Sequence, residues 1–412
     1  MIMTGGHLSH NPRVIKEATA LVSVGHKVEI VGAWYDATLK DRDKELTISF
    51  NLKFTPVLDL TRGGSCSRAQ RFWCRARAKL GEIAKGTLGW ENLWQFGYFG
   101  PAMRRAARRS KPELLIAHLE PPLPATGEAL RRGQRIGLDM EDWFSEDLLP
   151  EARARRPLRL LRSLEQELLL GAVHTSCPSH AMSNALATEY GCRPPTVVYN
   201  AFPWAERLSL DGKFKDRKNP RLLSLHWYSQ TLGKGRGLED LFAALPLVKG
   251  ELEIHLRGNP VTGFDDWLAA RVPEVWRKRI FIHNLVSNQE LLSRIAEHDI
   301  GFAGEMKYCR SRDLTVTNKI LHYLLGGLAV VASDTAGHKE VADKAPGAVL
   351  LYPSGERVAL AERINTLLSN PHGVSKAKAA ALNAAEQAFC WERVTPTLVS
   401  SVERALARQS KD

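Results

Sequence analysis

Residues 318–340 read NKILHYLLGGLAVVASDTAGHKE, and this stretch decides the fold. Ile320, Leu321, Tyr323, Leu324 and Leu325 crowd one helical segment. Gly326 and Gly327 end it, because glycine enters the left-handed conformation that closes a helix. The unbroken run 328–333, LAVVAS, has the length and β-branched content of a parallel strand buried on both faces. Residues 334–340 then carry a small, polar loop with Gly337 into another helix. A loop of that kind leaves the carboxyl end of a strand, where open α/β sheets hold their ligands, so a ligand site is expected here.

Working outward, the same alternation continues on both sides. Upstream, residues 221–226 read as a strand and 227–237 as a loop carrying Ser229, Lys234, Arg236 and Gly237 ahead of a helix at 238–245. Glycines before a helix present backbone N–H groups to phosphate, while lysine and arginine neutralise its charge. Strands follow at 252–256, 279–283 and 299–303, with the loop 283–286, including Leu285, at the end of the second of them. Ser287 with Glu290 reads as a capping box, which makes Glu290 structural. Downstream lie a strand at 348–352, a helix at 358–368 and a last helix after Trp391.

The first half repeats the pattern. Residues 1–4 supply a short strand, and Gly5-Gly6 let the backbone pass close to a ligand. A helix is expected from residue 7 to 24, then a strand at 27–32. Residues 47–59 alternate as one or two strands. Strands at 113–118 and 135–139 end in His118 and in the acidic run Asp139-Met140-Glu141-Asp142. Carboxylates at strand ends can orient hydroxyls or accept protons, and they can equally cap a helix. A helix at 158–170, a strand at 172–178, a helix at 179–190 closed by Gly191, and a strand at 195–199 lead to Asn200. The polar, proline-bounded run 203–220 reads as a hinge.

A chain of 412 residues suits two domains, and 44% hydrophobic with 25% charged residues is globular composition. No run approaches the ~20 apolar residues that span a bilayer, so a cytoplasmic protein is expected. Six scattered cysteines (66, 74, 177, 192, 309, 390) argue for reduced, structural thiols rather than a zinc site. The net charge of +12 is concentrated: residues 62–111 hold twelve Lys/Arg against Glu82 and Glu91, interleaved with Phe72, Trp73, Trp90, Trp94 and Tyr98. That mixture suits an anionic membrane surface or a lipid-linked acceptor. It also suits a solvated helix face. No recognition module accompanies it, so nucleic acid is not an expected partner.

The motifs resemble the retaining, nucleotide-sugar-dependent glycosyltransferases of family 4. Those motifs are Asn318-Lys319, Gly326-Gly327, the strand 328–332, the run from Gly337 to Glu340, the opening RVIKE at 13–17 and the turn GHKV at 25–28. The resemblance implies the GT-B architecture, α/β with two Rossmann-like domains facing across a cleft. Residues 1–202 would bind the acceptor and 203–388 the nucleotide sugar, with 389–412 returning to the first domain. It further implies that Gly6, Arg13, Ser229, Lys234, Arg236, Leu285, Thr315, Asn318, Lys319, His322 and Glu340 contact the donor. Glu141 and His118 would serve the acceptor and the chemistry, with no metal and no cofactor beyond the donor. Thr315 and His322 stand where many members carry glutamates, and Glu141 stands where they carry a histidine. A nucleotide-sugar epimerase and a non-catalytic nucleotide-binding partner in glycan assembly share the same plan and are the alternatives.

Overall fold

The computed structural model describes residues 1–407, the side chains of 65–67 apart, so Cys66 and the end of the 389–412 segment lie outside the described residues. The chain forms two compact units, Met1–Val198 with the residues from Thr395 on, and Tyr199–Val394.

The first unit is built on a seven-stranded, all-parallel sheet. Its strands are β1 (Ile2–Met3), β2 (Glu29–Trp34), β3 (Lys53–Asp59), β4 (Leu115–His118), β5 (Ile136–Asp139), β6 (His174–Cys177) and β7 (Thr196–Val197). They lie in the order β3-β2-β1-β4-β5-β6-β7. The second unit repeats the plan with β8 (Leu223–Leu232), β9 (Leu252–Pro260), β10 (Ile280–His283), β11 (Ile300–Ala303), β12 (Ala329–Ser333) and β13 (Val349–Tyr352). Their order is β10-β9-β8-β11-β12-β13. In each sheet the order reverses beside the first strand, between β1 and β4 and between β8 and β11. That reversal opens a crevice at the carboxyl ends of the central strands.

The stretch 318–340 folds as read. The helix Asn318–Gly326 closes on Gly327 in the left-handed conformation, at φ 74°. All five residues of β12 are buried. The turn after β12 is tighter than expected, because Thr335 caps a helix that already begins at Ala336. Gly337 therefore lies in that helix's first turn, where a Cβ would land on the Thr315 carbonyl. Only glycine allows this approach.

Three local expectations change. The run 47–59 holds one strand, β3, and its first residues belong instead to a helix Ala37–Ser49 that Asp36 caps. The helix expected from residue 7 begins at Pro12, because Asn11 accepts the Val14 N–H and proline suits a first helical position. The loop expected at 227–237 is mostly strand, since β8 pairs with β9 as far as Leu232 and Pro260, across a register shift between Tyr228 and Thr231. Polar residues 229–231 hide that extension in the sequence, and the glycine loop shrinks to 233–237. No disulfide joins Cys74, Cys177, Cys192, Cys309 and Cys390.

Candidate active site

Each unit carries its own cluster at the crevice end of its sheet. In the first unit, register pairs His118 with Asp139 across β4 and β5. The helix Pro12–Ser23 presents Arg13 and Glu17 to the same place. His118 is fully buried, with Nε2 2.8 Å from Glu17 and Nδ1 2.9 Å from Glu141. Burial alone would lower its pKa, but Glu17, Asp139 and the hydrogen bond to Glu141 raise it to about 10. The ring is therefore an imidazolium that donates from both nitrogens.

Arg13 donates to Asp139 at 2.8 Å and to the Val198 carbonyl at 2.7 Å. At 3% exposure it is buried, which corrects its expected role toward a donor phosphate. Asp139, also buried, is held below the usual carboxylate range: burial pushes it up, and Arg13 and His118 outweigh that. Glu141 differs from its neighbours. Asn11 donates to it at 2.7 Å and His118 from below, yet its side chain keeps 18% exposure. The cluster thus has one carboxylate facing outward, on a buried ionic base.

Sequence reading missed Asn11 and Glu17 as parts of this cluster. Glu17 stood in the RVIKE run, but helical periodicity gives no sign that it turns inward. Gly6 is buried and packs inside the unit: a Cβ there would meet the Tyr35 ring at 3.1 Å, and its carbonyl lies against Gly32. Its close approach is to β2. His7 fixes this turn, with Nε2 accepting from the Tyr35 and Asp36 amides and Nδ1 donating to Asp43 at 2.8 Å.

In the second unit Lys234 and Arg236 are exposed on the glycine loop after β8. Arg236 donates to the Oγ of buried Ser229 at 3.0 Å, which fixes the guanidinium at the end of β8. Gly237, at φ 83°, lies so close to the Gly304 carbonyl that no side chain fits. This loop is thereby joined to the turn after β11.

Lys319 points to Glu305, a residue that sequence reading missed. The pair is 2.8 Å apart, and the ammonium also stands over the Trp227 ring. Glu305 is 4% exposed; burial raises its pKa and Lys319 outweighs this to leave it low. The sequence signal was its place two residues past a buried strand. Thr317 carries the N-cap of the helix Asn318–Gly326 without capping it. Its hydroxyl instead donates to Nε2 of buried His338, whose Nδ1 donates to the Ser333 carbonyl. The first-turn amides of that helix therefore receive no side-chain cap.

The other expected donor residues are dispersed around this end. Asn318 is exposed and accepts from Asn200. Thr315 donates to the Ser311 carbonyl at 2.7 Å. His322 stacks on Phe202, ring centroids 3.4 Å apart, and its Nδ1 lies 2.6 Å from the Tyr228 hydroxyl. Glu340 accepts from the Tyr199 hydroxyl, which itself receives Lys344. Leu285 is exposed on the loop after β10.

Among the described residues two groups bring carboxylate and histidine atoms within 4.8 Å of one another: Glu17, His118 and Asp139, and Asp216, Glu297 and His298. In both, protein cations already hold the carboxylates. His118 and Arg13 do so in the first, and Arg257 and Arg294 in the second.

Residues 13–203 match the family model described as Glycosyltransferase Family 4. No curated protein matches the chain. Among solved structures, a glycosyltransferase from Rickettsia africae is 12% identical, with 99% of each chain covered and a TM-score of 0.68. Sucrose-phosphate synthase from Thermosynechococcus elongatus is 13% identical over 98% of this chain and 99% of its own, at a TM-score of 0.68. Anabaena HepE, solved in complex with UDP, is 15% identical over 98% and 99%, at a TM-score of 0.65. The family 4 match over residues 13–203 and the paired three-two-one-four sheets with their glycine-bounded crevices make the chain a glycosyltransferase of the two-Rossmann-domain, GT-B kind, its first unit similar to family 4.

Proposed function

We propose that this glycosyltransferase moves a hexose from a nucleoside-diphosphate sugar to a hydroxyl of a glycan or lipid-linked acceptor, with retention at the anomeric carbon and without a metal. The observation that carries the reading is the second unit's crevice. Exposed Lys234 and Arg236 stand at the end of β8, and an uncapped helix N-terminus bearing Lys319 follows β11. Charge developing on a leaving diphosphate is the main electrostatic demand of the reaction, and fixed cations with aimed amides meet it. UDP in the HepE complex supports a uridine nucleotide as the first donor to try.

In the first unit Glu141 is the group that meets the acceptor hydroxyl. His118 is a positioning residue, because it is buried and both of its nitrogens are already donated. It holds Glu141 in place and keeps positive charge beneath it.

The test is a thermal-shift screen against UDP, GDP, dTDP, ADP and CMP, each hit repeated with chelator and with Arg236→Ala. Ligand at a hundred times its dissociation constant stabilises the native state by about 2.7 kcal/mol. The proposal expects a selective shift that survives chelator and falls in the variant. Transfer assays with the selected sugar should then fail in Glu141→Ala while nucleotide affinity stays. No shift with any nucleotide, or undiminished transfer by Glu141→Ala, refutes the assignment.

A further inference from the structure

The helix Ser65–Leu88, in the first unit, is turned inside out. A helix on a globular protein buries its apolar stripe and shows its charges. Here Phe72, Trp73, Leu80 and Ile83, at spacings that share one helical face, are 66%, 68%, 54% and 49% exposed. The inward face instead carries Cys74, Gly81 and three basic residues that reach backbone carbonyls. Arg71 donates to Leu60, Arg77 to Tyr98 and Lys85 to Ala154. Those bonds fasten the helix while leaving its apolar face uncovered.

The flank of that face is cationic. Arg68, Arg75 and Lys79 are exposed along it, and the helix holds six Lys/Arg against the single acid Glu82. Beyond the helix, Trp90 adds another ring at 57% exposure. Among the described residues no helix is long and apolar enough to cross a membrane. An apolar stripe from Phe72 to Ile83, about 17 Å along a helix of 24 residues, is one that water disfavours unless something covers it.

We propose that this helix docks in the plane of an anionic lipid surface, with the rings of Phe72 and Trp73 at headgroup depth and Arg68, Arg75 and Lys79 among the lipid phosphates. Charge selects this occupant. A second copy of the chain would set the cationic flanks against each other, whereas an anionic bilayer meets both the rings and the charges. Docking is independent of what the crevices bind, so its failure and that of the proposed transfer are separate results.

The test is co-sedimentation of the full chain with vesicles of phosphatidylcholine alone, or of phosphatidylcholine and phosphatidylglycerol in equal parts. Binding is expected only to the anionic vesicles and should weaken with salt. Phe72→Ser with Trp73→Ser should lower partitioning by more than about tenfold, with thermal unfolding unchanged because both side chains are exposed. Arg68→Gln with Arg75→Gln should lower it about fivefold per charge. The proposal is overturned if anionic vesicles leave the protein in solution or if the serine variant binds as well as the parent. It is equally overturned if light scattering shows a dimer that the serine variant splits, which would make a second copy the occupant.

Discussion

Replacing His118 by glutamine should destabilise the first unit by about 3–5 kcal/mol, and the size follows from the cluster it leaves behind. Its imidazolium lies between Glu17 and Glu141, with Asp139 at 4.0 Å, and none of the ring reaches solvent. A histidine held at about 10 rather than 6.5 has its charged folded form favoured by about 5 kcal/mol, in line with the cost of breaking a buried ion pair. Glutamine offers one donor group and no charge, so Glu17, 1% exposed, would sit buried against the distant Arg13 alone.

The decisive measurement is a double-mutant cycle with Glu17→Gln, read as hydrogen-exchange protection of the β4 and β5 amides at neutral pH. Glu17→Gln alone should cost about 1–3 kcal/mol, since Glu141 still pairs the ring. The double variant, which removes both charges, should cost about 2 kcal/mol or more less than the two single effects added. Additivity within about 0.5 kcal/mol would refute the reasoning, because independent sites add and a pair sharing a buried charge cannot. The sign with pH gives a second check. A raised folded-state pKa contributes stability that is fully present below 6.5 and is lost as pH rises toward about 10. The parent should therefore lose protection of β4 and β5 over that window, and His118→Gln should flatten the loss.

The second unit should fail on the acid side. Burial lowers the pKa of His255 to about 3, and burial with the neighbouring Arg257 and His255 holds His226 well below 6.5. Depressed values mean stability present above 6.5 and lost as pH falls, by at most about 1.4 kcal/mol per pH unit for each histidine, readable as protection of the β8 and β9 amides. Gly337→Ala should cost about 1–3 kcal/mol or more, because its methyl meets the Thr315 carbonyl; a melting temperature equal to the parent's would contradict that contact. Arg236→Ala should weaken binding of the nucleotide found by the thermal screen by about tenfold or more, by titration calorimetry, for loss of a charge-assisted contact.

What the sequence made legible is what local physics dictates. The uninterrupted run 328–333 could only be a doubly covered strand, and Gly327 only a left-handed cap. Ser287 caps the next helix through the Glu290 amide, as its spacing indicates. Elements whose signals were indirect went astray. The helix Ala37–Ser49 shows almost no apolar face and was overlooked in favour of the alternation after it. The carboxyl half of β8 is polar because it edges the crevice, so it read as loop.

The site divides the same way. The placing of Lys234 and Arg236 on an exposed, glycine-bounded loop was legible, because both features are local. Arg13 was assigned outward on its charge, and the fold turned it inward, since only tertiary structure tells which face of a helix meets a sheet. The histidine missing from the run 139–142 is the sharpest case. Read along one strand it is absent, yet the β4–β5 register sets His118 beside Asp139 and in contact with Glu141. Likewise His322, standing where a carboxylate was expected, is held by the Phe202 ring and the Tyr228 hydroxyl, residues about a hundred positions upstream. In both places the chain departs from a linear motif and the fold supplies the partner from another segment. A motif read letter by letter therefore understates how much of this site is built.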